Sequence, residues 1–180
     1  MKKPKMKIQE LCMIGLFTAI IVIMAQISIP MPFGVPMTMQ TFAVMVAGIV
    51  LGSRNGSLST LIYMLLGAIG LPVFANFTGG WQVLAGPTSG FILTFPLMAY
   101  VIGLGCELRS RIKGAYTTGI VLGTLLNLLG GLFMFCFLTQ SPFIVGFTTC
   151  ILPFIPVTIL KTVLASILGL NIRRRLQAIL

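Results

Sequence analysis

Apolar residues run in long blocks along this chain, separated by short intervals rich in glycine, proline or charge, and they do not alternate with polar positions. Blocks of about 20 residues cross a bilayer as helices. They predict spans at Ile8 to Ile29, Met37 to Leu51, Gly56 to Leu71, Leu84 to Gly105 and Gly114 to Leu138. The stretch from Phe143 to Leu170 is broken by Pro153 and Pro156, which predicts a short segment and then a sixth span starting near Val157 and ending near Asn171. The expected fold is all-α, an integral membrane bundle of six transmembrane helices in a single domain covering residues 1 to 180.

Composition agrees with that class. Of 180 residues, 57% are hydrophobic and 8% charged, with no His, and the mean hydropathy is +1.09. A soluble domain carries about a quarter charged residues. The net charge of +10 would suggest nucleic acid in a soluble chain, but here the basic residues gather in short clusters between apolar blocks. Nucleic acid is therefore not expected as a partner, and the lipid bilayer is. Lys2, Lys3, Lys5 and Lys7 precede the first span, Arg54 follows the second, Arg109, Arg111 and Lys113 follow the fourth, and Arg173, Arg174 and Arg175 follow the last. In a six-span arrangement these eleven of the twelve Lys and Arg residues share one face with both acids, Glu10 and Glu107. The positive-inside rule makes that face cytoplasmic, with both termini there, in a multi-pass protein of the cell membrane. The first apolar block is too long for a signal peptide and lacks a small-residue cleavage site, so it should remain as a span. Cys12, Cys106, Cys136 and Cys150 lack ligand spacing, so neither a metal site nor a cofactor is expected.

The twelfth basic residue, Lys161, falls inside an apolar block, about one turn into the last span. A buried ammonium is costly unless something pairs with it, and neither acid is placed to do so. Such a lysine either snorkels to the outer headgroups, caps carbonyls of a neighbouring helix, or meets an anion from outside the protein. The last case points to a small carboxylate. Facing it is the uncharged connection from Leu71 to Ile92, PVFANFTGGWQVLAGPTSGF, whose glycines let backbone approach a ligand and whose Gly86 to Gly90 turn starts the fourth span. Helix-start amides there would attract an anion. A re-entrant structural plug is the other reading of this segment.

Four segments carry a resemblance: Thr38-MQ-Thr41, Tyr63-MLLGAIGLPVF-Ala75, Gly79-GWQVLAGPTSGF-Ile92 and Pro153-FIPVTIL-Lys161. In this order they resemble the BioY family, the biotin-specific substrate-binding (S) components of energy-coupling-factor transporters. The resemblance implies a six-helix bundle with the vitamin bound near the outer face, and a partner module of one transmembrane coupling protein and two cytoplasmic ATPases. It implies that Lys161 pairs with the substrate carboxylate, that Asn76 hydrogen-bonds the polar ring, and that the turn with Gly86, Thr88 and Gly90 shapes the pocket. Trp81, Phe91 and Tyr63 are candidates for apolar wall, and Gln40 matches a polar position in the second helix.

One position departs from the pattern. The family reads Pro-x-Asp-x-x-Lys before that lysine, and this chain reads Pro156-Val-Thr158-Ile-Leu-Lys161. Thr158 can still accept a hydrogen bond, without charge assistance. Lipoate, with a similar acid chain and no ureido N–H, becomes an alternative substrate. In the first helix Gly15 and Ala19 have small-xxx-small spacing and Ala25 extends a similar face, a pattern the family uses against the coupling protein, although Ile21 interrupts it. Gly48, Gly52, Gly56, Gly119 and Gly123 are expected to pack the bundle internally. An enzyme lacks its acid and base groups here, since there is no His and only two carboxylates. A channel would need polar rings, and the spans hold little beyond Ser, Thr, Asn127 and Gln40.

Overall fold

The computed structural model describes residues 7–31 and 34–179, with side chains to residue 176. Lys2, Lys3 and Lys5 of the basic N-terminal cluster lie outside the described residues. The elements are α1 (Ile8–Gln26), β1 (Ser28–Ile29), β2 (Met37–Thr38), α2 (Gln40–Ala68), a 3-10 turn (Ala75–Phe77), α3 (Trp81–Leu84), α4 (Ser89–Glu107), a second 3-10 turn (Leu108–Ser110), α5 (Ala115–Thr139), α6 (Phe143–Cys150) and α7 (Phe154–Ile179). Among the described residues, α1, α4 with its following turn, α5 and α7 are long and apolar enough to cross a membrane.

The second and third apolar blocks form one element with a fold-back. Gly52 stands at φ 83°, ψ −178°, in the middle of α2, a region open essentially to glycine alone. A Cβ built on Gly56 would lie 2.9 Å from Gly48 Cα, whereas a straight helix would separate these positions by about 12 Å. The two arms of α2 therefore lie against each other. With α1, α4, α5 and α7 they make six long helical arms. Glu107, at the end of α4, accepts the Ser53 backbone N–H at 2.7 Å and the Ser53 hydroxyl at 3.0 Å. A carboxylate on the first free amide of the second arm satisfies an unpaired donor and suits the positive end of the helix. Glu10 has a similar local task, accepting the Lys7 N–H at 3.2 Å.

Several boundaries differ from the sequence expectation. α1 stops at Gln26 rather than Ile29 and α2 starts at Gln40 rather than Met37, because Ser28 and Ile29 pair antiparallel with Thr38 and Met37 in a small ribbon. The third block ends at Ala68 and not at Leu71. α4 begins at Ser89, not Leu84; Pro87 disfavours helix in the residue before it and splits off the four-residue α3. α7 starts at Phe154, with Pro156 in its first turn where a missing N–H costs no hydrogen bond, and it continues past Asn171 to Ile179. Arg173, Arg174 and Arg175 are thus on the helix rather than after it.

Glycines set the close approaches. A Cβ on Gly48 would lie 2.7 Å from the Ala99 carbonyl oxygen of α4, and one on Gly119 would lie 2.8 Å from Gly105 Cα. Gly123 likewise meets Ile102 and Met98, so these glycines pack the bundle internally. On α1 the buried stripe is Ile14, Phe17, Thr18, Ile21 and Ala25. Gly15 and Ala19 fall on the opposite, exposed face, while Ala25 is fully buried. Ala25 is therefore corrected from a partner-facing residue to a core residue: it lies one turn beyond Ile21 on the inward stripe.

Candidate functional site

Two loops close one end of the bundle over a cavity of about 310 Å³, within the range of small-molecule sites. Gly34, Val35 and Pro36 of the ribbon connection cover one side, and Asn76, Thr78, Gln82 and the Gly86 to Thr88 turn cover the other. Val35 is wedged beside Phe135 of α5 and Cys150 of α6, with Phe91 and Phe154 packed alongside. The walls are mostly apolar, from Met45, Phe74, Phe91, Ile92, Phe95, Met98, Leu128 and Phe154. Phe91 and Phe154 stack at 6.2 Å between ring centroids.

Lys161 lines this cavity and is 5% exposed. Its ammonium donates to the Thr38 carbonyl at 2.6 Å and to Thr41 Oγ1 at 3.4 Å. An ammonium has three donors, so one remains uncommitted. Both acids are engaged elsewhere, at Ser53 and at Lys7, and no carboxylate lines the cavity among the described residues. Lys161 is positioned by a chain of hydrogen bonds. Tyr63 OH accepts Gln40 Nε2 at 2.5 Å, Gln40 Oε1 accepts Thr38 Oγ1 at 3.0 Å, and the Thr38 carbonyl accepts the ammonium.

The other expected residues divide into those at the cavity and those behind it. Asn76, Gly86, Thr88, Phe91, Gln40 and Thr158 line it together with Lys161. Asn76 sits at φ 57°, ψ 36°, which its short polar side chain tolerates better than most, and its Oδ1 accepts the Ser28 hydroxyl, joining the two loops. Tyr63 is 0% exposed and does not line the cavity; it supports Gln40 by its hydroxyl and Phe74 by an edge contact at 5.5 Å. Gly90 does not line it either, because its α carbon packs against Gly130 and Met134 of α5. Trp81 is 71% exposed; the segment turns Gln82 and Val83 to the cavity instead. Most of the helix-start amides are also occupied: Ser89 N–H donates to Gly86 O, and Phe91 and Ile92 N–H donate to Thr88 O, while Gly90 lies away from the cavity. A bound anion would rely on the lysine.

Sequence reasoning did not single out Thr41, Phe74, Phe154, Thr124 or Gln26. Gln26 of α1 holds the second loop by donating to Phe74 O at 3.1 Å and accepting Phe77 N–H at 2.9 Å. Thr124 and Asn127 of α5 both line the cavity. Asn127 Nδ2 donates to Phe91 O and to Thr94 Oγ1, each at 2.9 Å, which fixes the amide orientation and leaves Oδ1 as an unused acceptor. Thr124 Oγ1 is buried without a partner. The available signal was two polar residues three apart in the apolar middle of a span, which places them on one face.

The BioY family profile matches residues 1–178. The biotin transporter BioY of Thermotoga maritima is 41% identical over 170 residues, covering 92% of this chain and 96% of that protein. The probable biotin transporter BioY of Pyrococcus horikoshii is 40% identical over 165 residues, covering 91% of this chain and 96% of that protein. Among solved structures, the S-component for biotin from an ECF-type ABC transporter superposes with a TM-score of 0.85 at 25% identity, over 97% of this chain and 95% of that one. With a helical bundle of this shape, a profile match along almost its whole length and relatives at about these identities, the chain belongs to the BioY family.

Proposed function

We propose that the chain is the membrane subunit that binds biotin for uptake by an energy-coupling-factor transporter. It crosses the cell membrane six times with both termini cytoplasmic, and works with a transmembrane coupling protein and two cytoplasmic ATPases. The observation that carries this reading is Lys161, a residue only 5% exposed whose ammonium keeps a free donor in a cavity without a carboxylate. A ligand carboxylate removes its desolvation cost and forms a charge-assisted hydrogen bond. The relatives are named for biotin, which favours that acid over lipoate. Exposed Gly15 and Ala19 on α1 offer a smooth strip for the coupling protein.

The ring of biotin brings two ureido N–H donors and a carbonyl. With Thr158 where the family pattern has Asp, the neutral polar groups of α5 serve that ring: Asn127 Oδ1 accepts an N–H, and the Thr124 hydroxyl pairs with the ureido. Thr124 and Asn127 line the same cavity as Lys161. Asn76 keeps a free amide N–H₂ at the mouth.

Calorimetry on the purified chain tests the reading. Biotin should bind one to one, with lipoate at least about tenfold weaker, because a polar wall rejects a ring that cannot hydrogen-bond to it. Lipoate binding as tightly as biotin would sink it. Thr124→Val, which removes one hydroxyl at constant shape, should weaken biotin by about 2- to 10-fold. The same change should raise the melting temperature of the empty protein, since a buried unpaired hydroxyl disappears. Unchanged biotin affinity in that variant would take Thr124 out of the site.

A further inference from the structure

At the end of the bundle opposite the cavity, a cleft of about 430 Å³ opens between the turn after α4 and the last turns of α7. Its walls bring together Arg109, Arg173, Arg174, Ser110 and Glu107. The single carboxylate is already held by three hydrogen bonds from Ser53. None of the three guanidiniums has an ion-pair partner among the described residues.

Two of these arginines are held from behind. Arg173 is half-buried and donates from Nη1 to the Ile49 carbonyl at 2.6 Å. The Arg109 guanidinium sits 5.7 Å from the centre of the Tyr116 ring. A guanidinium carries five N–H donors in a fixed fork that matches phosphoryl oxygens, so each retains donors for the cleft. Apolar surface adjoins this charge. Ile167, Leu170 and Arg174 recur at helical spacing on one stripe of α7; Leu170 lines the cleft and Ile167 is 55% exposed. The stripe therefore passes from cation to lipid-facing hydrocarbon within two turns.

We infer that this cleft binds the phosphodiester headgroup of an anionic phospholipid, with Arg109 and Arg174 as its clamp, Arg173 as the anchored back wall, and the acyl chains against Ile167. The inference is independent of what occupies the cavity at the other end.

The test uses the full chain in detergent, titrated with phosphatidylglycerol, with phosphatidylcholine or with inorganic phosphate, and read by native mass spectrometry and melting temperature. One phosphatidylglycerol should bind and raise the melting temperature, with phosphatidylcholine clearly weaker. The double variant Arg109→Gln with Arg174→Gln spares the Arg173 contact to Ile49 and should bind phosphatidylglycerol about thirtyfold more weakly, at roughly tenfold or less per cation removed. Replacing both by Lys keeps the charge but loses the fork, and should fall between. Equal phosphatidylglycerol affinity in the Gln variant overturns the assignment, as does phosphatidylcholine bound equally well. Inorganic phosphate that binds alone and displaces the lipid would assign the cleft to the free anion. A Gln variant that keeps lipid affinity but no longer assembles with the ATPases and coupling protein would assign the arginines to a protein partner.

Discussion

Lys161→Met is expected to weaken biotin binding by about 100-fold or more, the range for losing one partner of a buried charge pair. The reasoning rests on where the cation lies. It is 5% exposed, its two protein contacts are neutral oxygens from Thr38 and Thr41, and the acids are committed to Ser53 and Lys7. Methionine has a similar length and adapts to irregular space, so the cavity keeps its volume and loses only the charge and its donors. Stability moves little, because a desolvated charge without an acid partner is removed at the cost of the hydrogen bonds to the Thr38 carbonyl and the Thr41 hydroxyl. Calorimetry with biotin and a size-exclusion profile together check both halves. Wild-type affinity in a monodisperse variant removes Lys161 from the site; aggregation would show instead that the lysine's bond to Thr38 holds the ribbon to α7.

Gly52→Ala should cost about 2 to 5 kcal/mol of stability, combining strain of about 1 to 3 kcal/mol with damage to a charged cap. At φ 83°, ψ −178° an alanine has no relaxed conformation available. The position its Cβ would take is held by Glu107 Oε1, the oxygen that accepts both Ser53 donors. The substitution therefore strains the fold-back and displaces the carboxylate that caps the second arm. A melting curve in detergent measures the loss, and Gly15→Ala is the matched control. Gly15 has nothing within 4 Å of its would-be Cβ and lies in regular helix, so alanine there should leave the melting temperature equal or slightly higher. Equal melting temperatures for the two variants would mean that the arms of α2 do not depend on the Gly52 conformation.

Much of the site was legible because charge in hydrocarbon is rare enough to stand out. Lys161 is the one cation within an apolar block, and its burial at a cavity agrees with the expectation of a shielded ammonium. Asn76 and Phe91 also reach the cavity, from a connection whose composition marked it as unusual for an exposed linker, and Thr158 does so from the helix that carries Lys161. Tyr63, Gly90 and Trp81 could not be sorted in the same way. Each lies within a few positions of a lining residue, and whether a side chain meets the cavity, the bundle interior or lipid depends on helix rotation. In a span hydrophobic on every face, no polar side reports that rotation. Ala25 was misplaced on the same ground.

Hydrophobic length and the placement of charge determined by themselves that this is a multi-pass helical membrane protein with all but one of its basic residues outside the apolar blocks, since backbone in lipid must satisfy its hydrogen bonds internally and charge is excluded from hydrocarbon. Only the tertiary structure decided that Gly52 turns two short blocks into a folded-back pair, that Glu107 caps one of them, that a two-stranded ribbon delivers the Thr38 carbonyl to Lys161, and that α5 contributes Thr124 and Asn127 to the cavity. These depend on contacts between residues up to 123 positions apart, and an apolar block carries no local pattern that records which neighbour it meets.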